Sequence, residues 1–495
     1  MIKTILKGCL LLSSVFIFSN AQAQSQSERC MALNTSLLED GVITSVDFLA
    51  SGTFDASSLR DAEAFQHLND FCRVSATLSP VTGSGIQIEV WLPANNWNNR
   101  LVAVGNGGFA GVISYAALAE SLSQGYAAVS TDTGHVGGTP DFLSNETTLT
   151  DFAHRAIHEM TVAAKHLVDL YYRTEAQFTY FNGCSTGGRQ ALTAAQRYPQ
   201  DFDGIIAGAP ANSTIRMTMQ QLWNSRIVND TYGLELNAED FERLHQGVLS
   251  ACDALDGLSD GIIENPALCA IEPADIAGFS QQEVEALKKI YQGAQNPRTG
   301  EIIYPGFAKG SESGWTAMVR SEPFAYSNAM QGYVVNQDPE WDFLELDFAR
   351  DLSAIDQRIN QLGMQAIDPD LSEFIAHGGK LLLYHGWNDP LISPFNSINY
   401  YNEVHAALGE RASESVQLFM MPAVNHCQGG NGFDTWEKLQ VMDDWRTDGT
   451  APNRIEATRQ DEDGSTPTRP LCAYPQTAVY TGNGSPDQAE NFQCR

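Results

Sequence analysis

Ser185 is the residue of this chain whose neighbours most favour covalent chemistry. It is central in the sequence Gly183-Cys-Ser-Thr-Gly187, which matches the pattern G-x-S-x-G. Tyr180 and Phe181 before it favour a β-strand, and residues 190–197 after it favour a helix. A serine on a sharp turn between a strand and a helix is the setting of a nucleophile elbow, where small neighbours let adjoining backbones pass closely. The segment therefore predicts a serine nucleophile.

An acidic residue and a histidine follow Ser185 in the chain, at the positions expected for the other two members of a catalytic triad. In α/β-hydrolases the order along the chain is Ser, acid, His, and each residue lies beyond the C-terminal end of a strand. Asp389 follows the apolar run 380–384, and His426 follows the run 416–421 in a Gly-rich loop. We predict that His426 takes the proton of Ser185 and that Asp389 orients and stabilises the imidazolium.

Two segments are predicted to supply backbone N–H groups to a developing oxyanion. Thr186 is one donor, because it directly follows the nucleophile. The other is expected in the Gly-rich loop Gly105–Gly111, where we predict Gly108, with Gly107 as the alternative. A simple tight turn is the competing explanation of this loop.

Four other histidines are less suited to act as the base. His135, His154 and His158 precede the serine, on the wrong strands for this topology. His385 stands four residues before Asp389 and is expected to be structural.

The elements around these residues predict an α/β fold with a parallel sheet. Strand and helix patterns alternate up to about Ala211 and resume at Lys380, whereas residues 24–78 show no clear pattern and are expected to be irregular. The intervening part has helical patches without a regular series of strands. We predict an α/β-hydrolase catalytic domain formed by residues 24–212 and 371–495, with a lid domain, residues 213–370, inserted into it.

The N-terminus indicates export, and the charge balance argues against two classes of partner. Residues 1–23 combine Lys3 and Lys7 with a short apolar run and an Ala-Gln-Ala cleavage site, as in a signal peptide. The run is too short for a membrane anchor. Cleavage would leave 27 basic against 60 acidic residues, a net charge of −33. Such an acidic chain is not expected to bind nucleic acid or anionic membranes.

Eight cysteines remain after cleavage, and in an exported protein an even number indicates disulfides. Local pairing is plausible for Cys252 with Cys269 and for Cys472 with Cys494. A zinc site is the alternative, but no C-x-x-C or H-x₃-H spacing supports it. If Ser185 and His426 are in contact, Cys184 and Cys427 beside them come within disulfide reach; two unrelated thiols are the other possibility.

Three motifs carry a resemblance to a known family. Gly183-Cys-Ser-Thr-Gly-Gly-Arg-Gln190, His385-Gly-Trp-Asn-Asp389 and Asn425-His-Cys427 resemble the tannase and feruloyl esterase family, whose hallmark is a Cys-Ser, Asp, His-Cys arrangement with the two cysteines bridged. The resemblance covers essentially the whole mature chain. It implies an α/β-hydrolase core, a lid over the active site and hydrolysis of aromatic carboxylic esters. The family also includes a mono(2-hydroxyethyl) terephthalate hydrolase. The other disulfides that the resemblance implies are Cys30–Cys72, Cys252–Cys269 and Cys472–Cys494.

The loop from Cys252 to Glu264 carries three aspartates, Asp253, Asp256 and Asp260, and two glycines. Carboxylate oxygens suit a hard cation, although the spacing is not that of an EF-hand. An acidic, solvated turn is the alternative. The loop resembles the lid calcium loop of the same family, which implies a structural Ca²⁺. The ligands so implied are the carboxylates of Asp253, Asp256 and Asp260 and the backbone carbonyls of Leu258 and Ile262.

Together these features predict a secreted or periplasmic serine esterase. The expected partners are small aromatic esters, with feruloyl, galloyl and terephthalate half-esters as candidates. Trp315, Phe324 and Tyr326 of the lid are candidates to stack on the acyl ring, or else belong to the lid core. A non-catalytic ligand-binding protein and a peptidase on the same fold are the alternatives.

Overall fold

The computed structural model describes residues 26–57, 59, 62–231, 233–350 and 352–495. The signal peptide predicted at residues 1–23 lies outside this range. Among the described helices, none is long and apolar enough to cross a membrane.

One mixed sheet of nine strands forms the centre of the molecule. The strands of the described chain are β1 Gly41–Leu49, β2 Phe71–Leu78, β3 Ile86–Pro93, β4 Arg100–Val104, β5 Ala127–Thr131, β6 Phe178–Cys184, β7 Gly204–Gly208, β8 Gly293–Gln295, β9 Ile302–Pro305, β10 Lys380–Gly386, β11 Val416–Met421, β12 Arg454–Thr458, β13 Thr468–Cys472, β14 Ala478–Tyr480 and β15 Phe492–Cys494. The order in the central sheet is β1-β2-β3-β5-β4-β6-β7-β10-β11. β3 is antiparallel to β2 and β5, whereas the strands from β5 to β11 in this order are parallel. This sheet defines an α/β-hydrolase-like fold, as the sequence predicts.

Helices cover both faces of the parallel part of the sheet. The helices of the described chain are α1 over residues 26–32, α2 Tyr115–Ser123, α3 Glu146–Thr150, α4 Ala156–Tyr172, α5 Thr186–Arg197, α6 Thr214–Asp230, α7 Ala238–Cys252, α8 Gln281–Gln292, α9 Ala325–Ala329, α10 Leu352–Leu362, α11 Ser372–Ala376, α12 Pro394–Leu408, α13 Glu410–Ser415 and α14 Lys438–Asp448. In β4, Leu101 and Ala103 join the core on the face that includes α4 and α12. Val102 and Val104 join the core on the other face, with α2 and α14. The strand is buried at every position, as its uninterrupted apolar run predicts.

The N-terminal segment differs from the expectation of irregular structure. β1 and β2 extend the central sheet by antiparallel pairing, and the disulfide Cys30–Cys72 joins α1 to β2. Within β2, Val74, Ala76 and Leu78 are buried, and this period-two pattern was the available signal. β3 also differs from the prediction of a strand with one wet face, because only Gln87 in it is exposed.

The described residues between β7 and β10 add no strand to the central sheet. It contains α6 to α11 and the hairpin of β8 and β9, and it has an apolar cluster of its own. Trp315 is fully buried in that cluster, with its ring centroid 4.9 Å from that of Tyr291 and 5.5 Å from that of Phe307. The lid boundaries at residues 213 and 370 stay a prediction.

Candidate active site

Ser185 occupies the sharp turn between β6 and α5. Its φ of +65° and ψ of −121° are strained for a residue with a side chain. Its N–H donates to the Gly208 carbonyl on the neighbouring strand at 2.9 Å, which holds the turn against the sheet. A Cβ on Gly183 would lie 2.7 Å from the backbone carbon of Gly187, so this turn requires glycine. These features are those of a nucleophile elbow.

Asp389 follows β10 and is fully buried. Its Oδ1 accepts hydrogen bonds from the N–H groups of Leu391, at 2.8 Å, and Ile392, at 2.9 Å. Its Oδ2 lies 2.6 Å from Nδ1 of His426 and 3.1 Å from Nε2 of His385. Burial alone would raise the pKa of this carboxyl, but the charge of His426 and the hydrogen bonds from both histidines lower it below its usual range. Asp389 is therefore ionised at neutral pH.

His426 follows β11, and its side chain is 18% exposed. Burial favours the neutral imidazole, but the charge of Asp389 and its hydrogen bond outweigh this and raise the pKa of His426. Because Nδ1 faces Asp389, Nε2 is the nitrogen left for a serine hydroxyl. Ser185 and His426 line the same cavity, and no direct hydrogen bond joins their side chains in the part of the chain that the structure describes. Such a bond often tightens only when substrate is present.

A disulfide connects the serine turn to the histidine loop. Cys184 and Cys427 are bonded across 243 residues of sequence, with their Cα atoms 6.0 Å apart. The remaining disulfides are Cys30–Cys72, Cys252–Cys269 and Cys472–Cys494. These are the four pairs that the resemblance implies, and the Cys184–Cys427 bond joins the residue before Ser185 to the residue after His426.

The Gly-rich loop after β4 lies beside the serine turn. The hydroxyl of Thr186 donates to the Gly108 carbonyl at 3.1 Å, which ties the loop to the start of α5. Among the described residues, the N–H groups of Gly107 and Gly108 have no hydrogen-bond acceptor. Gly108 has a φ of +55°, and a Cβ on either glycine would meet no atom within 4 Å. The loop thus offers free amides at the cavity, as an oxyanion hole requires; the roles of Gly108 and Thr186 stay predictions.

The cavity over Ser185 has a volume of about 540 Å³ and lies between core and lid. Its apolar lining is formed by Ala211, Met217, Phe324, Tyr326, Leu391 and Ile392. Tyr326 also stacks on Phe109 of the Gly-rich loop at 4.2 Å between ring centroids. Among the described residues that line it, none is Lys, Arg, Asp or Glu. The cavity can therefore enclose an uncharged, flat acyl group.

Of the lid aromatics predicted to contact the acyl ring, Phe324 and Tyr326 line the cavity and Trp315 does not. Met217 and Gln221 were missed, although their spacing of four residues places them on one face of α6. Leu391 and Ile392 were also missed, although they directly follow Asp389.

The three histidines considered as alternative bases, His135, His154 and His158, have partners outside the cavity. His135 Nε2 lies 2.7 Å from the Phe109 carbonyl, and His154 Nδ1 lies 2.8 Å from the Tyr198 hydroxyl. His158 pairs with Asp201 at 2.8 Å. Their positions agree with structural roles.

The predicted calcium loop contains oxygen donors but no formed cluster. Asp253 and Asp256 accept hydrogen bonds from backbone N–H groups of their own loop, and Asp260 Oδ2 pairs with Arg469 at 2.7 Å. Asp256 Oδ2 is buried without a partner, and burial raises the pKa of that carboxyl to about 6. Among the described residues, no three His, Cys, Asp or Glu side chains are grouped closely enough to hold a metal ion. The donor chemistry fits Ca²⁺, and the site stays a prediction.

Comparison with known proteins defines the class to which this fold and site belong. The chain is 27% identical to the crystal structure of feruloyl esterase B from Aspergillus oryzae, with a TM-score of 0.85 over 95% of this chain and 100% of that one. Tannin acyl hydrolase from Aspergillus niger shares the fold, with a TM-score of 0.80 at 22% identity over 95% of this chain and 94% of that one. The protein is a carboxylic ester hydrolase.

Its family is equally clear. The family model described as tannase and feruloyl esterase matches residues 72–495. Feruloyl esterase B of A. niger is 32% identical over 86% of this chain and 87% of its own length. An uncharacterized esterase of Xanthomonas campestris is 31% identical over 95% of this chain and 92% of its own length. The chain belongs to the tannase and feruloyl esterase family.

Proposed function

We propose that this protein hydrolyses esters of phenolic and other aromatic acids through a triad of Ser185, His426 and Asp389. The observation that carries the proposal is the convergence of a strained serine and an Asp389-bound imidazole on one cavity, with a disulfide between their neighbours. His426 is hydrogen-bonded to Asp389 as its role requires, and Ser185 lines the same cavity as His426.

The reaction follows from these positions. His426 Nε2 removes the proton from Ser185 Oγ as the oxygen attacks the ester carbonyl. The N–H groups of Thr186 and Gly108 stabilise the oxyanion. His426 then gives its proton to the leaving alcohol, and an acyl-Ser185 enzyme remains. Water, activated by the same imidazole, releases the acid and restores the hydroxyl of Ser185. Asp389 stays ionised throughout.

The cavity favours particular acyl groups. Its aromatic and aliphatic walls suit a ring, and its volume lies in the range of small-molecule sites. A carboxylate on that ring would lose its hydration without meeting a cation. Among the predicted substrates, feruloyl and galloyl esters therefore fit the described lining better than terephthalate half-esters.

A rate comparison tests the proposal. Methyl ferulate and methyl gallate should be hydrolysed by the wild-type protein, and Ser185→Ala should lower kcat by at least about 10³-fold. Ser123→Ala, which removes a hydroxyl from α2, is the matched control and should keep the wild-type rate. Equal rates for Ser185→Ala and wild type would refute the triad. Cleavage of aminoacyl amides without ester cleavage would indicate the peptidase.

We also propose that the protein is exported and that its lid holds Ca²⁺. Four disulfides and the predicted signal peptide support export to the periplasm or beyond. The buried, unpartnered carboxylate oxygen of Asp256 supports the cation. Asp253, Asp256 and Asp260, with the carbonyls of Leu258 and Ile262, would hold the ion, which would stabilise the loop.

A further inference from the structure

Asp389 accepts hydrogen bonds from two imidazoles on the same carboxylate oxygen. His426 Nδ1 lies 2.6 Å from Oδ2, and His385 Nε2 lies 3.1 Å from it. His385 is fully buried, on β10, and does not line the cavity, so it cannot reach a substrate or Ser185. Among the described residues, the hydrogen bond that links His385 to the triad is the one to Asp389.

The surroundings of His385 determine which of its nitrogens carries the proton. Nε2 faces two acceptors, Asp389 Oδ2 and the Ile392 carbonyl, each at 3.1 Å. Nε2 must therefore be a donor. Nδ1 lies 2.7 Å from the hydroxyl of Ser397 on α12, which can donate to it. The neutral imidazole with its proton on Nε2 satisfies every one of these contacts.

We propose that His385 is a positioning residue for the triad: its Nε2–H holds Asp389 in the orientation that His426 needs and takes up part of the carboxylate charge. The proposal rests on the proposed function. The two N–H groups on Oδ1 and the two imidazoles on Oδ2 together fix the carboxylate in its plane. Rotation of Asp389 away from His426 would break all four hydrogen bonds.

By taking up part of the charge of Asp389, His385 makes His426 less basic. The ionisable groups that face Asp389 are His426, His385 and, on β9, the phenol of Tyr304, whose pKa is raised by burial. Without the donor from His385, the whole negative charge of Asp389 acts on His426. The imidazolium form of His426 is then more stable. The acid limb, which is the part of the pH profile where kcat/KM rises with pH, therefore moves to higher pH.

The test uses two substitutions that differ in where they place an amide. In His385→Gln the side-chain amide N–H takes the position of Nε2–H and reaches Asp389. The side chain in His385→Asn is shorter, so its amide takes the position of Nδ1 and does not reach Asp389. We expect kcat for methyl ferulate to fall 10- to 100-fold in His385→Asn, the range for outer partners of a catalytic group, with KM changed less than about threefold. His385→Gln should recover most of kcat. The acid limb should move to higher pH only in His385→Asn.

His245→Asn is the matched control, because His245 is another buried histidine that pairs with a buried carboxylate, Glu312, at 3.0 Å in the lid. It should lower the melting temperature and leave the acid limb in place. The proposal is overturned if His385→Asn keeps the wild-type kcat and acid limb, or if Gln and Asn lower kcat equally with no shift. Ser185→Ala in the same assay separates this failure from failure of the proposed function. Full activity in that variant would show that the reaction does not use the proposed triad.

Discussion

At the residue scale, the imidazole of His426 determines the pH range in which the proposed reaction runs. It must be neutral to accept the proton of Ser185, and its bond to Asp389 favours the charged form. As the pH falls, His426 takes up a proton and can no longer act as the base, so the enzyme loses activity. Four N–H donors stabilise the buried charge of Asp389.

We expect kcat/KM to rise with pH through an apparent pKa above the ordinary histidine value of about 6.5. Asp389→Asn should move this limb to lower pH, because the anion that stabilises the imidazolium is removed, and should lower kcat by about 10⁴-fold. Rates between pH 4 and 9 on methyl ferulate measure both quantities. A limb that stays in place in the Asn variant would mean that His426 is not the group that titrates.

At the scale of elements, the ends of β6, β10 and β11 carry the site, and part of this was predictable. Ser185, Asp389 and His426 each follow an apolar run, and G-x-S-x-G is a local pattern, so the sequence places them at one edge of a parallel sheet. Other features depend on tertiary contact. The insertion of β5 between β3 and β4 follows from long-range pairing, and the second imidazole on Asp389 follows from how β10 packs on α12. Neither has a local signature.

The disulfide between β6 and the loop after β11 is expected to hold the catalytic geometry. In Cys184→Ser/Cys427→Ser, the serine turn and the histidine loop can separate, so kcat should fall at least about tenfold. The chain-entropy model gives a loss of about 5 kcal/mol for so long a loop. Activity and thermal unfolding measure the two effects.

Cys472→Ser/Cys494→Ser is the control, because that disulfide closes the C-terminal hairpin of β14 and β15 onto β13, across 22 residues. It should cost about 3 kcal/mol and leave kcat nearly unchanged. Equal loss of kcat in the two double variants would mean that the Cys184–Cys427 bond acts only on stability.

The loop between α7 and α8 provides another prediction. If Ca²⁺ neutralises the carboxylates of Asp253, Asp256 and Asp260, a chelator should lower the melting temperature by several degrees and the initial rate much less, because the loop lies outside the cavity. Calorimetry with and without chelator measures this. Asp256→Asn should have a lower melting temperature that chelator no longer changes. A melting temperature of the wild type that is insensitive to both chelator and added Ca²⁺ would contradict the site.

At the scale of the whole molecule, core and lid enclose a cavity in a strongly acidic protein, and none of the described residues that line this cavity is Lys, Arg, Asp or Glu. α6 and the segment around α9 supply the lid side of the cavity, and the loops after β4, β6, β7, β10 and β11 supply the other side. The sequence predicts a lid over the site. It does not predict that Trp315 packs inside the lid while Phe324 lines the cavity, because both are apolar aromatics in similar local patterns.

We expect the protein to discriminate against negatively charged acyl groups. Dimethyl and monomethyl terephthalate share a ring and a methyl ester and differ in one carboxylate. kcat/KM should be at least about 100-fold lower for the monoester, which corresponds to about 2.7 kcal/mol. Met217→Arg adds a cation to the lid side of the cavity, and the ratio of kcat/KM for the diester to that for the monoester should decrease severalfold. A wild-type ratio near one would show that the carboxylate is accommodated.

The central claim is that Ser185 carries the acyl group during hydrolysis of an aromatic ester. Its most direct test is mass spectrometry of the protein quenched in acid during turnover of methyl ferulate and then digested. We predict that the peptide containing Ser185 gains the mass of one feruloyl group, and that Ser185→Ala shows no such gain. Turnover without an acylated peptide at Ser185, or acylation of another residue at the rate of turnover, would contradict the account.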